Sequence, residues 1–146
     1  MKKCITTLCL VACLALAHQA LAAPQTFGPD FARFSVDVPN GWTAKSNDGG
    51  CQITSGDGGS SLSIQVHKNG GKSATELAKA IGEQMGGKVV KMEENAPNQT
   101  NLYCELDGVR VAVMITVDGD QFVALTMAGS DTETMQKIAA SLADAK

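Results

Sequence analysis

The sequence is poor in side chains that do chemistry. It has two histidines and five cysteines, and aromatic residues make up only 4% of it, so its core has to be built from aliphatic residues. One histidine and three cysteines fall within residues 1–22, leaving His67, Cys51 and Cys104 for the rest of the chain. A zinc site wants three or four His, Cys or carboxylate ligands, and this inventory is too thin to supply them. There is no Gly-x-Ser-x-Gly nucleophile elbow to go with His67. That histidine sits in an alternating stretch and reads as a plain surface residue of a strand. Ser55-Gly56-Asp57-Gly58-Gly59-Ser60 is glycine-rich but lacks the Gly-Lys-Ser/Thr ending of a phosphate loop, so it reads as a hairpin loop. These absences predict a protein that is not an enzyme and carries no metal or other cofactor.

Positive charge is scarce as well. Without Lys2 and Lys3, ten basic residues face fifteen acidic ones, a net charge of −5 with no basic cluster. Electrostatic binding of nucleic acid or of an acidic lipid surface is therefore not expected. Long apolar runs are confined to the start, where Cys4 to Ala17 is mostly apolar, follows Lys2-Lys3 and leads to Ala20-Leu21-Ala22. A positive start, a short apolar stretch and an A-x-A site make a secretory signal peptide over residues 1–22, too short for a comfortable membrane span. The expected address is periplasmic or extracellular, by bacterial export, with no transmembrane segment in the mature chain. Leu10-Val11-Ala12-Cys13 resembles a lipobox that would anchor the chain through a lipid on Cys13. It comes early and is followed by apolar residues rather than a polar tether, which weighs against it.

After the signal, residues 23–30 contain two prolines and read as a flexible leader; residues 31–146 read as one domain. Ala32, Phe34, Val36 and Val38 alternate with polar residues and stop at Pro39-Asn40-Gly41, the pattern of a strand and a turn. The only tryptophan, Trp42, follows. It is a candidate for a pocket wall or, more simply, for a plug at one end of the core. Leu62, Ile64 and Val66 mark another strand. Ser73-Ala74-Thr75-Glu76 is a capping box for a helix with Leu77, Ala78 and Ile81 on one stripe, ended by Gly86-Gly87.

The stretch Gly108 to Leu142 organises the rest. Val109, Val111, Val113, Ile115 and Val117 recur with period two, and Val123, Leu125 and Met127 do so beyond Gly119. A three-residue loop, Val117-Asp118-Gly119, would pair 113 with 123 and 111 with 125, putting both sets on one face. The opposite face would then carry Met114 and Phe122, a possible partner face if no helix covers it. Ser130-x-x-Glu133 is a second capping box, before Met135, Ile138 and Leu142 at helical spacing. Cys51 and Cys104 both point inward by parity. An even pair in an exported chain predicts a disulfide that closes about 53 residues and stabilises by roughly 4 kcal/mol.

The element order gives an α+β class, a mostly antiparallel sheet of about six to eight strands with two main helices. Phe34-Ser35-Val36-Asp37-Val38-Pro39-Asn40-Gly41-Trp42 resembles the opening strand and Pro-x-x-Trp turn of the PsbP-like superfamily, which includes the Ran-binding Mog protein, PsbP and DcrB-like envelope lipoproteins. The helix after Ser73, the Gly108 hairpin and the end from Ser130 to Leu142 match the same layout. The resemblance implies an α/β/α sandwich and an accessory or binding role. It carries over no functional residue, and the photosynthetic members' extended basic N-terminus has no counterpart here. The expected function is that of an exported, non-enzymatic envelope protein that binds a partner, an unknown envelope protein. The alternative is a small-ligand or metal-ion binder, with its pocket near Trp42.

Overall fold

The computed structural model describes residues 23–145, so the signal peptide expected over residues 1–22 and the lipobox-like stretch ending at Cys13 lie outside the described residues. Five strands come first: β1 (Ala23–Phe27), β2 (Phe34–Val38), β3 (Trp42–Asn47), β4 (Gly50–Ser55) and β5 (Ser60–Lys68). Helix α1 (Ala74–Met85) leads to β6 (Lys88–Ala96), β7 (Gln99–Leu106), β8 (Val109–Asp118) and β9 (Gln121–Gly129). Helix α2 (Thr132–Ala140) and a two-residue β10 (Ala143–Asp144) close the chain.

Two antiparallel meanders, β3-β4-β5 and β6-β7-β8-β9, are joined edge to edge by β5 and β9. The result is a seven-stranded sheet of order β3-β4-β5-β9-β8-β7-β6. A smaller sheet of order β1-β2-β10 packs on it. The architecture is the expected α+β one, with helices on both sides of an antiparallel sheet. The leader expected over residues 23–30 is instead largely strand: β1 pairs with β2 from Ala23 opposite Val38 to Phe27 opposite Phe34. Pro24 hid this strand from the sequence pattern. It is tolerated because β1 is at the sheet's edge, where its missing N–H breaks no ladder.

Two apolar layers flank the large sheet. On one face Cys51, Ile53, Leu62, Ile64 and Leu125 pack against Val36 of the small sheet and against Met135 and Ile138 of α2. Ile53, Leu62 and Ile64 are fully buried and contribute about 2 to 3 kcal/mol each by area removed from water. On the other face Leu102, Val113, Ile115, Phe122 and Ala124 pack beneath Leu77 and Ala78 of α1.

The helix ends follow local rules. The Ser73 N–H donates to Glu76 Oε2 at 2.8 Å and the Glu76 N–H donates to Ser73 Oγ, completing the capping box, while Gly86 closes α1 at φ 67°. For α2 the cap is Asp131, whose Oδ1 accepts from the Thr134 N–H at 3.1 Å, rather than Ser130. Ser60 holds the start of α2 by accepting the Asp131 N–H at 2.9 Å.

The hairpin register differs from the one expected. Asp118 pairs with Gln121, Ile115 with Ala124 and Val113 with Thr126, around a two-residue Gly119-Asp120 turn. The three-residue loop rested on gathering all the branched residues on one face. That preference has force only where the other face is wet, and here the hairpin has apolar packing on both faces. Met114, Val123, Leu125 and Met127 belong to the α2 layer, and Phe122 and Ala124 to the α1 layer. Gly119, at φ 58°, takes the first corner of the turn, the position a primed two-residue hairpin reserves for glycine. Gly119→Val should therefore lower the unfolding free energy by about 1 to 3 kcal/mol. The urea midpoint should fall with an unchanged slope; an unchanged midpoint would mean that the turn does not hold the register.

Candidate functional site

The thiols are not joined. Cys51 on β4 and Cys104 on β7 are both free and buried. Three strands (β5, β9 and β8) lie between them, a separation of about 19 Å at ordinary strand spacing, against roughly 7 Å at most between Cα atoms for a bridge. They also sit in different layers, Cys51 facing α2 and Cys104 facing α1. Both point inward, as parity said, but the sheet has two insides. Burial pushes the Cys51 thiol from 9.0 up to about 11 and raises that of Cys104 as well. Neither has the cationic neighbour that activates a nucleophilic cysteine.

His67 lies on the α1 side of β5, partly exposed, with its ring 5.8 Å from that of Phe122 and close against Gly49. This is a packing position and not a nucleophile's base. Trp42 is half-buried at one end of the α2 layer, packed on the core. It plugs that end of the core. Among the described residues no group of three or more His, Cys, Asp or Glu side chains could hold a metal ion. No described helix is long and apolar enough to cross a membrane.

Met114 and Phe122, expected on one face, are on opposite faces. Phe122 pairs with Val117 and is buried in the α1 layer, whereas Met114 pairs with Leu125 and faces the α2 side. Helix α2 packs over β2, β5 and β9, and α1 crosses β7 and β8 from the other side. Among the described residues the α2-side surface of β6, β7 and β8 is thus left without a helix. Met114 and Ala112 lie there, flanked by Asn101 and Tyr103 on β7 and by Lys91 and Glu93 on β6.

Asn101 is the unusual member of this group. Its Nδ2 reaches the Tyr103 hydroxyl only at 3.5 Å, and its Oδ1 is buried with no hydrogen-bond partner. A buried acceptor left unsatisfied costs about 1 to 3 kcal/mol. Beside it, Gln99 Nε2 donates to the Met114 sulfur at 2.8 Å. Asn101 and Tyr103 alternate with Leu102 and Cys104, so the sequence marks them as the strand's second face. Nothing in the pattern marks Asn101 as unsatisfied.

An open cleft of about 1070 Å³ lies between the small sheet and the ends of β5 and β9, lined in part by Phe31, Arg33, Val66 and Gln121. Phe31 is 51% exposed, with Lys68 Nζ 4.7 Å from its ring centre. Lys68 also meets Asp120 at 2.6 Å and holds its carboxyl below the usual range, though at this exposure such a pair adds little stability. Arg33 pairs with the exposed Asp30 at 3.1 Å.

No protein-family profile matches the chain, and no curated protein matches it in sequence. Its structure is similar to the solution structure of cyanobacterial PsbP (CyanoP) from Synechocystis sp. PCC 6803. The TM-score is 0.56 at 13% identity, over 93% of this chain and 99% of that one. A crystal structure from Bacteroides thetaiotaomicron VPI-5482 also matches, with a TM-score of 0.45 at 17% identity, over 77% of this chain and 45% of that one. The chain therefore has a PsbP-like fold, as the opening strand and the Pro-x-x-Trp turn suggested. At such identity the likeness concerns the fold alone.

Two measurements check the buried thiols. Denatured, unreduced protein lacking residues 1–22 should titrate two free thiols; none would restore the bridge. Because the folded-state pKa of Cys51 is raised, its contribution is intact below pH 9.0 and is lost as pH rises through about 11. Between about pH 8 and about pH 10.5 the protein should lose roughly 2 kcal/mol more unfolding free energy than Cys51→Ala. Equal losses in urea melts would contradict the burial.

Proposed function

We propose that this is an exported, non-enzymatic accessory protein of the cell envelope that works by binding a partner, and that the partner docks on the open half of the seven-stranded sheet. Asn101 carries the reading. Among the described residues its buried Oδ1 lacks a donor, on a surface that no described helix covers, and a docked partner with an N–H or O–H there would remove that penalty. The half-buried Met114 and Tyr103 beside it offer a soft apolar contact and an aromatic one, residue types enriched at interfaces. The export half of the proposal rests on Lys2-Lys3, the apolar run and Ala20-Leu21-Ala22. The non-enzymatic half is supported by the separate, inactivated thiols and by the packed His67.

A second reading, a small-ligand binder, is favoured by the cleft beside Phe31 and Arg33, whose size of about 1070 Å³ can accommodate a ligand. That cleft is not at Trp42, where the sequence had placed the pocket.

A photo-crosslinking residue at position 114 tests the first reading in envelope extract, with the exposed Lys79 on α1 as control. An adduct of discrete mass at 114, absent at 79 and lost on adding Tyr103→Ala, is the expected outcome. No adduct, together with a ligand-induced rise in melting temperature that Arg33→Ala removes, would shift the function to the cleft.

A further inference from the structure

Among the described residues strand β6 forms one edge of the large sheet, and one side of its backbone has no ladder partner there. Among the described residues two of the four exposed large apolar residues lie on this strand: Val89 at 48% and Val90 at 62%. Breaks in the pairing with β7 fall between Val89 and Lys91 and between Glu94 and Ala96, leaving a regular segment from Lys91 to Glu94. Within it Lys91 and Glu93 lie opposite Tyr103 and Asn101, on the open face, while Met92 lies opposite Leu102 on the α1 side. The strand is basic at its start, with Lys88 and Lys91, and acidic further on, with Glu93 and Glu94.

We infer that β6 is a self-association edge, and that a second copy of this chain adds its own β6 antiparallel to it about a twofold axis at Met92. An antiparallel strand reverses the order of charges, so this block pattern is complementary to itself. An axis perpendicular to the sheet keeps like faces together, which restricts each residue to partners on its own face. With the axis at Met92, each Lys91 is opposite Glu93 of the other copy and the two Met92 residues meet. Moving the axis by one residue either way puts Lys91 against Lys91 or Glu93 against Glu93, a destabilising pairing. Charges on an edge strand ordinarily guard it against stray pairing. Here they reject strands of other sequence and admit a copy of their own. The Lys91–Glu93 pair within one chain becomes part of a four-charge array, and the open faces of the two copies join across the axis. This proposal is independent of partner docking, because it rests on the edge and its charges.

Sedimentation equilibrium of the purified protein, taken to millimolar concentration, tests it. The wild type should dimerise reversibly. Lys91→Glu and Glu93→Lys should each weaken self-association by about tenfold or more while keeping the wild-type melting temperature, since each sets like charges opposite one another twice. Mixing the two variants should restore a heterodimer, and the double variant K91E/E93K should dimerise like the wild type. A wild type that stays monomeric at millimolar concentration overturns the proposal. So do single variants that associate as strongly as the wild type, or a mixture that fails to recover.

Discussion

The pairing of β8 with β9 is the constraint on which both layers of the molecule depend. Their side chains alternate between two apolar environments, so the register decides which residues each helix meets. A slip of one residue would send Phe122 and Ala124 of β9 towards α2 and Leu125 towards α1, mismatching both layers at once. The same strand, β9, carries the nine-residue ladder to β5 that joins the two meanders. Position 119 therefore matters beyond its own turn. Its positive φ fixes a two-residue connection, the connection fixes β8 on β9, and β9 aligns the rest of the sheet.

From this follows an uneven covering of the sheet. Each helix spans only part of the width, α1 on one face and α2 on the other, with the small sheet beside α2. On the α1 face the surface of β4 and β5 presents Gln52, Ser61, Ser63 and Gln65, which water satisfies readily. On the α2 face the surface of β6 to β8 is different in kind, with Met114, Tyr103 and an amide oxygen that water does not reach. One open half reads as ordinary solvated sheet. The other is mixed, with apolar side chains beside a buried polar atom.

Much of the fold was legible because local rules and the final structure agree. The alternation at Phe34-Val36-Val38 and Leu62-Ile64-Val66, the cap at Ser73 and the stripe at Met135 and Ile138 are each decided within a few residues. The misreadings share a cause: they depended on how many sides of the sheet are buried. Counting one inside made Cys51 and Cys104 neighbours, put Met114 beside Phe122 and favoured the longer hairpin loop. With two insides all three change together. Strand β1 was missed for a separate reason, since Pro24 lowers strand propensity without regard to its position on an edge. The orphaned Asn101 oxygen could not be read at all, because satisfaction is a property of neighbours brought in from other strands.

The position of Asn101 also bears on what the open half costs the fold. Its neighbours on the same strand, Leu102 and Cys104, are buried by α1, and burying them does not require a polar residue of any particular kind on the reverse face. A threonine at 101 would satisfy the strand and leave no buried amide. The asparagine instead holds an acceptor between Tyr103 on its own strand and the Lys91–Glu93 pair on β6. A penalty of about 1 to 3 kcal/mol is large beside the few kcal/mol by which domains are stable. The fold carries that cost at Asn101 Oδ1, and a donor brought to the atom from outside the chain would relieve it.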